Sequence, residues 1–409
     1  MRRLRLLIVS SDTFPPTRVD LLVLFGVNMA ERGHEIDLLL QSEAACTHAY
    51  VTNWRGGRAW VGATDLGHSL LRRIRKHALG IANDLRLFSR LRHGGYDAVE
   101  VKDKFLSGIL ALLGRRLFRT RFIYWLSYPF PEHYLLLAED PTARYRFLWK
   151  VRGLAFKWLL YRLLLPAADH IFVQSEQMRV DVATHGIPAN KMTAVPMGVS
   201  LELCSLPDLS ENRRLLAPGV PCLLYLGALN EVRRLDFLIR VFAEVKAAVP
   251  SALLYLVGKG DHADDEAGLL KEVARLNLQS AVLFVGQLPQ AEALTYVQEA
   301  DVCTSPLFPT PVMRPSSPTK LVEYMALGKA VVANDLPEQQ RLIEESGGGI
   351  CSAYAEQPFA AAIVSLLKDR EKARLMGQRG RHYVMKHCSY GVIADKVEQR
   401  ILDIVEARC

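Results

Sequence analysis

The sequence predicts an α/β protein of two doubly wound domains that face each other across a cleft. Short apolar segments alternate with helix-length stretches along nearly all of its 409 residues, a pattern typical of parallel strands joined by helices. This alternation is interrupted once, near the middle of the chain, and then resumes. With half of its residues hydrophobic and 23% charged, the chain is long enough to bury a core in each domain.

The first domain is predicted from strands that are each followed by a helical length. In chain order they are Leu6–Ser10, Glu35–Leu40, Ala98–Val101, Arg121–Leu126 and His170–Gln174. The start of the chain is basic, but the apolar run after it is shorter than a signal-peptide core and has no cleavage-like site. We therefore interpret that run as the first parallel strand and assign residues 1–197 to this domain.

The second domain is predicted to begin after a linker. Pro196 and Gly198 punctuate an extended segment, and an irregular stretch continues to Pro221. Further strands are predicted at Cys222–Leu226, Ala252–Val257, Ala281–Val285, Val302–Ser305, Ala330–Ala333 and Gly349–Cys351, with helices such as Arg234–Ala247 and Glu266–Leu276 between them. We assign residues 198–384 to this domain and expect the C-terminal helix, 385–409, to pack back on the first domain.

Several classes of protein are excluded by composition and motifs. The seven cysteines form no C-x-x-C or C-x-x-H cluster, so the sequence indicates neither a disulfide framework nor a zinc site. No apolar run approaches the roughly 20 residues that a membrane-spanning helix needs. No G-x-G-x-x-G opens a helix after the first strand, which argues against a dinucleotide-dependent dehydrogenase. We expect a cytoplasmic protein without a metal site or a resident cofactor.

Positive charge is concentrated in the first half of the chain. Residues 1–200 hold 28 Lys and Arg against 17 Asp and Glu, a net +11, whereas residues 201–409 hold 23 against 26, a net −3. Much of the excess lies in 70–92 and in 145–165, where basic residues alternate with Trp, Phe and Leu. Such segments suit peripheral contact with an anionic membrane. They also suit core-packed helices with solvated basic faces. Nucleic acid is not expected as a partner, because no recognised binding motif accompanies the charge.

The most informative segment, Ser316–Val332, predicts a loop, a helix, a tight turn and a buried strand. Ser317 suits the helix N-cap and Pro318 the first helical position, so the free amides of the first turn would attract an anion. Lys320 in that turn is unfavourable with the helix dipole unless a bound phosphate lies near it. Glu323 lies on the same face and suits the hydroxyls of a sugar. The alternative is an ordinary amphipathic helix with a Lys–Glu surface pair.

This segment resembles the nucleotide-sugar-binding helix of family 4 retaining glycosyltransferases, in the variant S-x-P-x-K-L-x-E-Y-M-A-x-G-K. The resemblance continues through Arg32–Ile36, Ala168–Glu176 and Val195–Val199. It implies the GT-B fold, in which two Rossmann-like domains bind a nucleoside diphosphate sugar. Many family members carry a Glu-x7-Glu pair, but Pro315 occupies the first Glu position here. Only the second carboxylate, Glu323, carries over.

The resemblance also implies the donor-binding residues of the second domain. Leu224–Asp236 matches the pattern G-R-L-x-x-x-K-G, with Ala228 in place of the Arg and Arg233 in place of the Lys. The diphosphate contact therefore carries over to Arg233. Val257–Gly260 matches V-G-x-G, and Val285–Leu288 matches a segment that reads the base edge. With Lys320 and Glu323, the implied donor-binding set is Gly227, Arg233, Gly258, Gly286, Gln287, Leu288, Ser317, Thr319 and Leu321.

In the first domain the resemblance is weaker. Many members carry a Gly-Gly loop after strand one, where this chain has Ser10–Asp20, and Arg18 is the candidate that replaces the missing backbone contacts. A His that touches the donor sugar often follows the fourth predicted strand, and here His133 or Ser127 is the candidate. Asp103 and Lys104 are also expected at the cleft.

Together these features predict a retaining glycosyltransferase that moves a hexose from a nucleoside diphosphate sugar, such as a UDP-sugar, to a glycan or polyprenyl-linked acceptor. We assign catalytic roles to Arg233, Lys320, Glu323 and His133. Polysaccharide or surface-glycan synthesis at the inner membrane face is the expected setting. Two alternatives remain open, a nucleotide-sugar 2-epimerase and a non-catalytic GT-B scaffold in glycan assembly. Binding of UDP or GDP distinguishes a scaffold, which need bind neither.

Overall fold

The computed structural model describes residues 2–67, 69–200, 215–217 and 219–407. It divides into two compact units, one formed by residues 1–196 with 390–409 and the other by 197–389. These boundaries lie one residue before and five residues after those expected from the sequence. The second boundary is later because one helix continues to His387 and Ser389 then bridges to Val199. Part of the predicted linker, 201–214, lies outside the described residues.

The first unit contains an eight-stranded sheet in the order β3-β4-β2-β1-β5-β6-β7-β8. Its strands are β1 (Arg5–Phe14), β2 (Glu35–Ser42), β3 (Tyr50–Trp54), β4 (Gly57–Gly62), β5 (Ala98–Lys102), β6 (Arg121–Leu126), β7 (His170–Val173) and β8 (Met192–Ala194). All pair in parallel except β3, which forms an antiparallel hairpin with β4. The predicted strands are present, whereas β3, β4 and β8 were not predicted.

Helices cover both faces of this sheet, and each face has its own buried apolar cluster. They are α1 (Asp20–Met29, a π-helix), α2 (Leu70–Gly94), α3 (Phe105–Phe118), α4 (Phe130–Glu139), α5 (Arg146–Trp158, continued by the π-helical turn Leu159–Leu164), α6 (Glu176–Ala183) and the C-terminal α14 (Tyr390–Glu406). In the described residues, no helix combines the length and the apolar character needed to cross a membrane.

The second unit contains a six-stranded parallel sheet in the order β11-β10-β9-β12-β13-β14. Its strands are β9 (Cys222–Leu226), β10 (Leu253–Val257), β11 (Val282–Gly286), β12 (Val302–Ser305), β13 (Ala330–Asn334) and β14 (Gly349–Ser352). Its helices are α7 (Asp236–Ala248), α8 (Ala263–Arg275), α9 (Gln290–Glu299), α10 (Thr319–Ala326), α11 (Pro337–Ser346), α12 (Glu356–Lys368) and α13 (Arg370–His387). Every predicted strand of this unit is present, and β9 and β12 have the predicted bounds.

A buried polar contact between Glu398 of α14 and the side chains of Arg32 and His34 holds α14 in the first unit. The His34 ring accepts a hydrogen bond from the Leu4 N–H at 3.1 Å and contacts the Glu398 carboxylate at 2.8 Å. Arg32 pairs with the same carboxylate and with Asp395 at 2.7 Å. Burial alone would raise the pKa of Glu398, but the hydrogen bonds from Arg32 and His34 outweigh that effect and lower it. The Gly33 turn therefore positions two side chains that hold the last helix.

We expect Glu398→Ala to destabilise the first unit by about 3 kcal/mol, because it removes a buried carboxylate that pairs with Arg32 and is the carboxylate partner of the buried His34 ring. All five tryptophans lie in this unit, so their fluorescence during urea unfolding reports on it. Because the pKa of Glu398 is lowered on folding, its contribution is present above the unfolded pKa of about 4.3 and is lost as pH falls below it. Glu371→Ala, at an exposed pair with Arg374, is the control and should leave the midpoint unchanged. Equal urea-unfolding midpoints for the two variants would contradict the role of Glu398 in holding the last helix.

Candidate functional site

The candidate site of the second unit lies where the order in which the chain adds strands to its sheet reverses. The chain builds outwards from β9 to β10 and β11, and then adds β12, β13 and β14 on the other side. Ligands of doubly wound sheets bind beyond the carboxyl ends of the strands at such a reversal. Pairing between β9 and β12 is confined to Leu223 and Leu224. Further along, the Tyr324 hydroxyl accepts a hydrogen bond from the Leu226 N–H at 2.8 Å and donates one to the Leu226 carbonyl at 3.3 Å.

Three glycines predicted to bind the donor lie together at this edge. The Gly227 N–H donates to the Val257 carbonyl at 2.9 Å, and the Gly258 N–H donates to the Gly286 carbonyl at 2.9 Å. Gly258 has a φ of +143°, and a Cβ atom there would lie 1.9 Å from the Gly227 carbonyl oxygen. Only glycine fits this close backbone approach. The loops after β9, β10 and β11 therefore form one continuous backbone surface.

The helix α10 begins later than the sequence predicted. Its first residue is Thr319, and Pro318 precedes it with a ψ of 74° that is not helical. The prediction that Ser317 is the N-cap and Pro318 the first helical residue is therefore wrong. The Ser317 hydroxyl instead accepts a hydrogen bond from the Met197 N–H at 2.9 Å. Tertiary contact thus overrides the local capping preference of serine.

The start of α10 presents free donors and a cation. Within the described residues, the N–H groups of Lys320 and Leu321 have no hydrogen-bond acceptor. The Leu321 side chain is fully buried in the core, so only its N–H can face a ligand. The Lys320 side chain is 43% exposed and its ammonium lies 2.9 Å from the carboxylate of Glu323, whose side chain is 8% exposed. The Lys–Glu pair of the alternative interpretation is thus present, and donor binding by this face stays a prediction.

Arg233 ends a short 3-10 turn, Glu231–Arg233, and is half-buried. Its guanidinium makes no hydrogen bond or ion pair with any described residue. Burial raises the pKa of Tyr225 and the charge of Arg233 opposes that rise, which places Arg233 near the end of β9. Its neighbour Arg234 is already engaged, 3.2 Å from Asp236 and with its guanidinium 5.2 Å from the centre of the Phe308 ring.

The remaining predicted donor residues lie at the same edge. Gly286 ends β11 with a φ of +85°. Gln287 after it is exposed, and Leu288 packs against the core of the unit. Ala228 contributes its carbonyl, which accepts a hydrogen bond from Tyr225 at 3.2 Å. Position 228 therefore supplies no cation, and Arg233 and Lys320 are the predicted cations of this site.

A charged cluster occupies the equivalent position in the first unit, where β1 and β5 adjoin at the reversal of that sheet. Lys102 ends β5, is almost fully buried and forms an ion pair with the buried Asp20. Arg18 lies 3.3 Å from Asp20 and also donates to the Ser127 hydroxyl at 3.4 Å. Ser127 in turn donates to the Asp103 carboxylate, which also accepts the Ser127 N–H at 2.9 Å.

The electrostatics of this cluster are perturbed in both directions. Burial lowers the pKa of Lys102 well below its usual value and raises the pKa of Asp103. Perturbed groups of both signs at a sheet reversal are typical of functional sites. Arg18, Asp103 and Ser127 were candidates from the sequence, whereas Lys102 and Asp20 were missed. The available signal was a lysine at the carboxyl end of a buried strand.

His133 lies on α4, apart from the contacts of this cluster. Its ring accepts or donates a hydrogen bond with the Tyr128 hydroxyl at 3.1 Å, and burial lowers the pKa of His133. Lys104 forms an ion pair with Asp84. Of the two candidates, Ser127 therefore belongs to the charged cluster with Arg18, whereas His133 packs between the rings of Tyr128 and Tyr134. Across the described residues, no group of three or more His, Cys, Asp or Glu is placed to hold a metal ion.

Two family models match the chain, one in each half. Residues 25–198 match the glycosyl transferase 4-like domain, and residues 220–369 match glycosyl transferases group 1. The D-inositol 3-phosphate glycosyltransferase of Nocardia farcinica is 25% identical over 53% of this chain and 49% of its own length. The α-monoglucosyldiacylglycerol synthase of Streptococcus pneumoniae is 23% identical over 66% of this chain and 59% of its own. The chain spans half to three fifths of these relatives.

Solved structures resemble the whole chain. The sucrose-phosphate synthase of Thermosynechococcus elongatus superposes with a TM-score of 0.75 and 19% identity, covering 99% of this chain and 100% of that one. Anabaena HepE, in a complex with UDP and glucose, gives a TM-score of 0.68 and 16% identity, covering 98% and 99%. These likenesses confirm the predicted GT-B fold class.

We expect Arg233→Ala and Lys320→Ala each to weaken binding of a nucleoside diphosphate by about 1.5–3 kcal/mol, because each removes a charge-assisted hydrogen bond to phosphate. Isothermal titration with UDP and with GDP measures this. Arg234→Ala is the matched control, since its guanidinium is already held by Asp236, and it should bind like the wild type. Unchanged affinity in both test variants, with the fold intact by circular dichroism, would remove these residues from the site.

Proposed function

We propose that this chain, which belongs to the glycosyl transferases group 1 family and has the GT-B fold, transfers a glycosyl group from a nucleoside diphosphate sugar to an acceptor hydroxyl. The observation that carries this proposal is the set of partly exposed positive groups and uncapped N–H groups where the strand order of the second unit reverses. Arg233, Lys320 and the uncapped N–H groups of α10 all lie at the sheet edge where the loops with Gly227 and Gly258 leave their strands. Anions are stabilised at such a helix start.

These groups suit the chemistry of the leaving group. In the transfer, the bond between the anomeric carbon and the phosphate oxygen breaks, and its electron pair remains on the diphosphate. A new bond forms to the acceptor oxygen, whose proton leaves with the diphosphate. Fixed cations and amide dipoles stabilise the charge that grows on the phosphate oxygens. Arg233 and Lys320 would supply that stabilisation, while Glu323 would accept hydrogen bonds from sugar hydroxyls.

We propose retention at the anomeric carbon, UDP as the carrier and a glycan or polyprenyl-linked acceptor. Retention follows from the family resemblance of the α10 segment. The choice of UDP is supported by HepE, whose structure holds UDP and glucose. A lipid-linked acceptor is supported by the name of the Streptococcus pneumoniae relative, a diacylglycerol glucoside synthase. The proposed setting is polysaccharide or surface-glycan synthesis in the cytoplasm, with peripheral contact at the inner membrane face.

The proposed activity is tested by incubating the full chain with UDP-hexoses and GDP-hexoses and a membrane lipid extract. We expect sugar-dependent release of nucleoside diphosphate and a glycosylated lipid or glycan with the anomeric configuration of the donor. Conversion of the donor to its 2-epimer without an acceptor would indicate the epimerase instead. Failure to bind either nucleotide by titration would indicate the scaffold.

We further propose that transfer is independent of divalent metal, because Arg233 and Lys320 would supply the positive charge that neutralises the diphosphate. The transfer rate should persist in excess EDTA. Loss of activity in EDTA with recovery on adding Mg²⁺ or Mn²⁺ would contradict this mechanism. As a control, the transfer rate of Lys320→Ala is measured in excess Mg²⁺. We expect no recovery, whereas a metal that takes over the role of the lysine would restore the rate.

A further inference from the structure

Large apolar side chains are exposed on two helices of the first unit. On α2, Leu71 is 79% exposed and Leu70 is 74% exposed, and on α5, Phe147 is 76% and Trp158 is 63% exposed. The other exposed apolar residues of these helices are Ile74, Ile81, Leu85, Leu148, Val151 and Leu154. Scattered exposed apolar residues are normal in proteins, but a concentration of this kind marks an interaction surface.

On each helix the exposed apolar residues form one face. Leu70, Ile74, Ile81 and Leu85 are spaced by four, seven and four residues on α2, so they lie on one side of a helix with 3.6 residues per turn. The buried residues of α2, which include Leu87 and Leu91, occupy the other side.

The same spacing governs α5. Phe147, Val151, Leu154 and Trp158 are separated by four, three and four residues, and the buried Gly153 lies on the opposite side of this helix. Each helix therefore carries an outward apolar face. The other side of α2 packs on the sheet and on α3, whereas the other side of α5 packs on α4, where Gly153 lies against Leu135.

Both outward faces lie at the same edge of the unit. Leu87 and Leu91 of α2 belong to the same buried cluster as Leu160 and Leu164, so α2 and the π-helical continuation of α5 lie on the same side of the sheet. Each helix leads back to the start of a parallel strand, so its N-terminal half lies near the carboxyl edge. The exposed apolar residues of both helices lie mainly in these halves. Arg18, Ser127 and Asp103 lie at that edge too.

The charge around these faces favours anionic lipid. No Asp or Glu occurs in residues 66–83 or 141–168, whereas Arg72, Arg73, Arg75 and Lys76 flank the first face and basic residues such as Lys150 flank the second. A protein partner with an apolar patch would not require this uniform sign. Apolar faces on helical segments that carry cations and no acidic residue of their own, with a tryptophan at the end of the second face, match interfacial helices on an anionic bilayer.

A row of aromatic rings connects this surface with the end of β6. The ring of Tyr128, next to Ser127 in the chain, lies 5.6 Å from that of His133, and His133 lies 5.9 Å from Tyr134. Tyr134 stacks on Trp149 of α5 at 5.7 Å with an angle of 8° between the rings. The exposed surface and the cluster of the first unit are thus parts of one packed region.

We propose that the outward faces of α2 and α5 insert together into the interfacial region of an anionic bilayer, so that the carboxyl edge of the first sheet faces the lipid. This deepens the proposed function, on which it rests for the acceptor, because it implies an acceptor that is presented from the membrane. The contact is apolar as well as electrostatic. High salt should therefore weaken it without abolishing it, even at about 1 M, where the Debye length is about 3 Å.

The test uses the full chain and vesicles of phosphatidylcholine with phosphatidylglycerol, without donor or acceptor. We expect at least tenfold weaker vesicle binding for the double variant Leu71→Gln with Phe147→Gln. Leu270→Gln, at an apolar residue of the second unit that is 52% exposed, is the matched control and should bind like the wild type. Vesicles with brominated acyl chains should quench tryptophan fluorescence, and Trp158→Phe should remove most of that quenching while keeping the binding.

Wild-type affinity of the double variant, or binding without bromine quenching, would overturn insertion. Self-association of the wild type in sedimentation equilibrium, lost in the double variant, would show instead that a second copy covers these faces. Titration with UDP verifies that each variant is folded. Because vesicle binding is measured without transfer, its failure leaves the proposed activity standing if a soluble acceptor is glycosylated. If vesicle binding is intact but no acceptor is glycosylated, the proposed activity is wrong and membrane insertion stands.

Discussion

The hydrogen bonds of the Tyr324 hydroxyl to Leu226 determine the geometry of the candidate donor site. Pairing of β9 with β12 is confined to Leu223 and Leu224, so both polar groups of Leu226 would lack a partner on that side without this hydroxyl. An unsatisfied buried backbone group costs about 1–3 kcal/mol. Since Tyr324 is fully buried on α10, the same contact fixes the helix start beside Gly227. The backbone is thereby satisfied where the two strands separate.

The two sheets have the same kind of strand-order reversal, but the charged groups at the two reversals differ in exposure. In the second unit the cations Arg233 and Lys320 are half exposed, and backbone N–H groups are uncapped, so the edge is prepared to receive negative charge. In the first unit Lys102 and Asp20 neutralise each other out of contact with water. A buried ion pair contributes little net stability after desolvation. Its effect here is to hold Arg18 and, through it, Ser127 in fixed positions.

Much of the fold could be predicted because parallel strands are short apolar runs between helical lengths. The bounds of β6, β9 and β12 matched the prediction, since these strands are buried on both faces. The hairpin of β3 and β4 was missed because its residues are partly exposed and mixed in polarity. The predicted start of α10 was wrong because the Ser317 hydroxyl is bonded to Met197, far away in the chain. The exposure of Phe147 and Leu71 was also beyond the sequence, as apolar spacing alone does not tell an inward face from an outward one.

Pro315 gives a physical reason to expect that the contacts to a nucleoside diphosphate sugar differ from those of the family pattern. Where many relatives have a first Glu, this position has no charge and no N–H donor, and Ala228 likewise lacks the cation of the family pattern. A lost carboxylate and a lost cation leave the net charge of the site unchanged. Under the proposed function, the Lys320–Glu323 pair and Arg233 would then provide the charged groups that select the ligand. Because Glu323 is nearly buried whereas Lys320 and Arg233 are half-exposed, the proposed division of roles gives the sugar hydroxyls to the carboxylate and the phosphates to the cations.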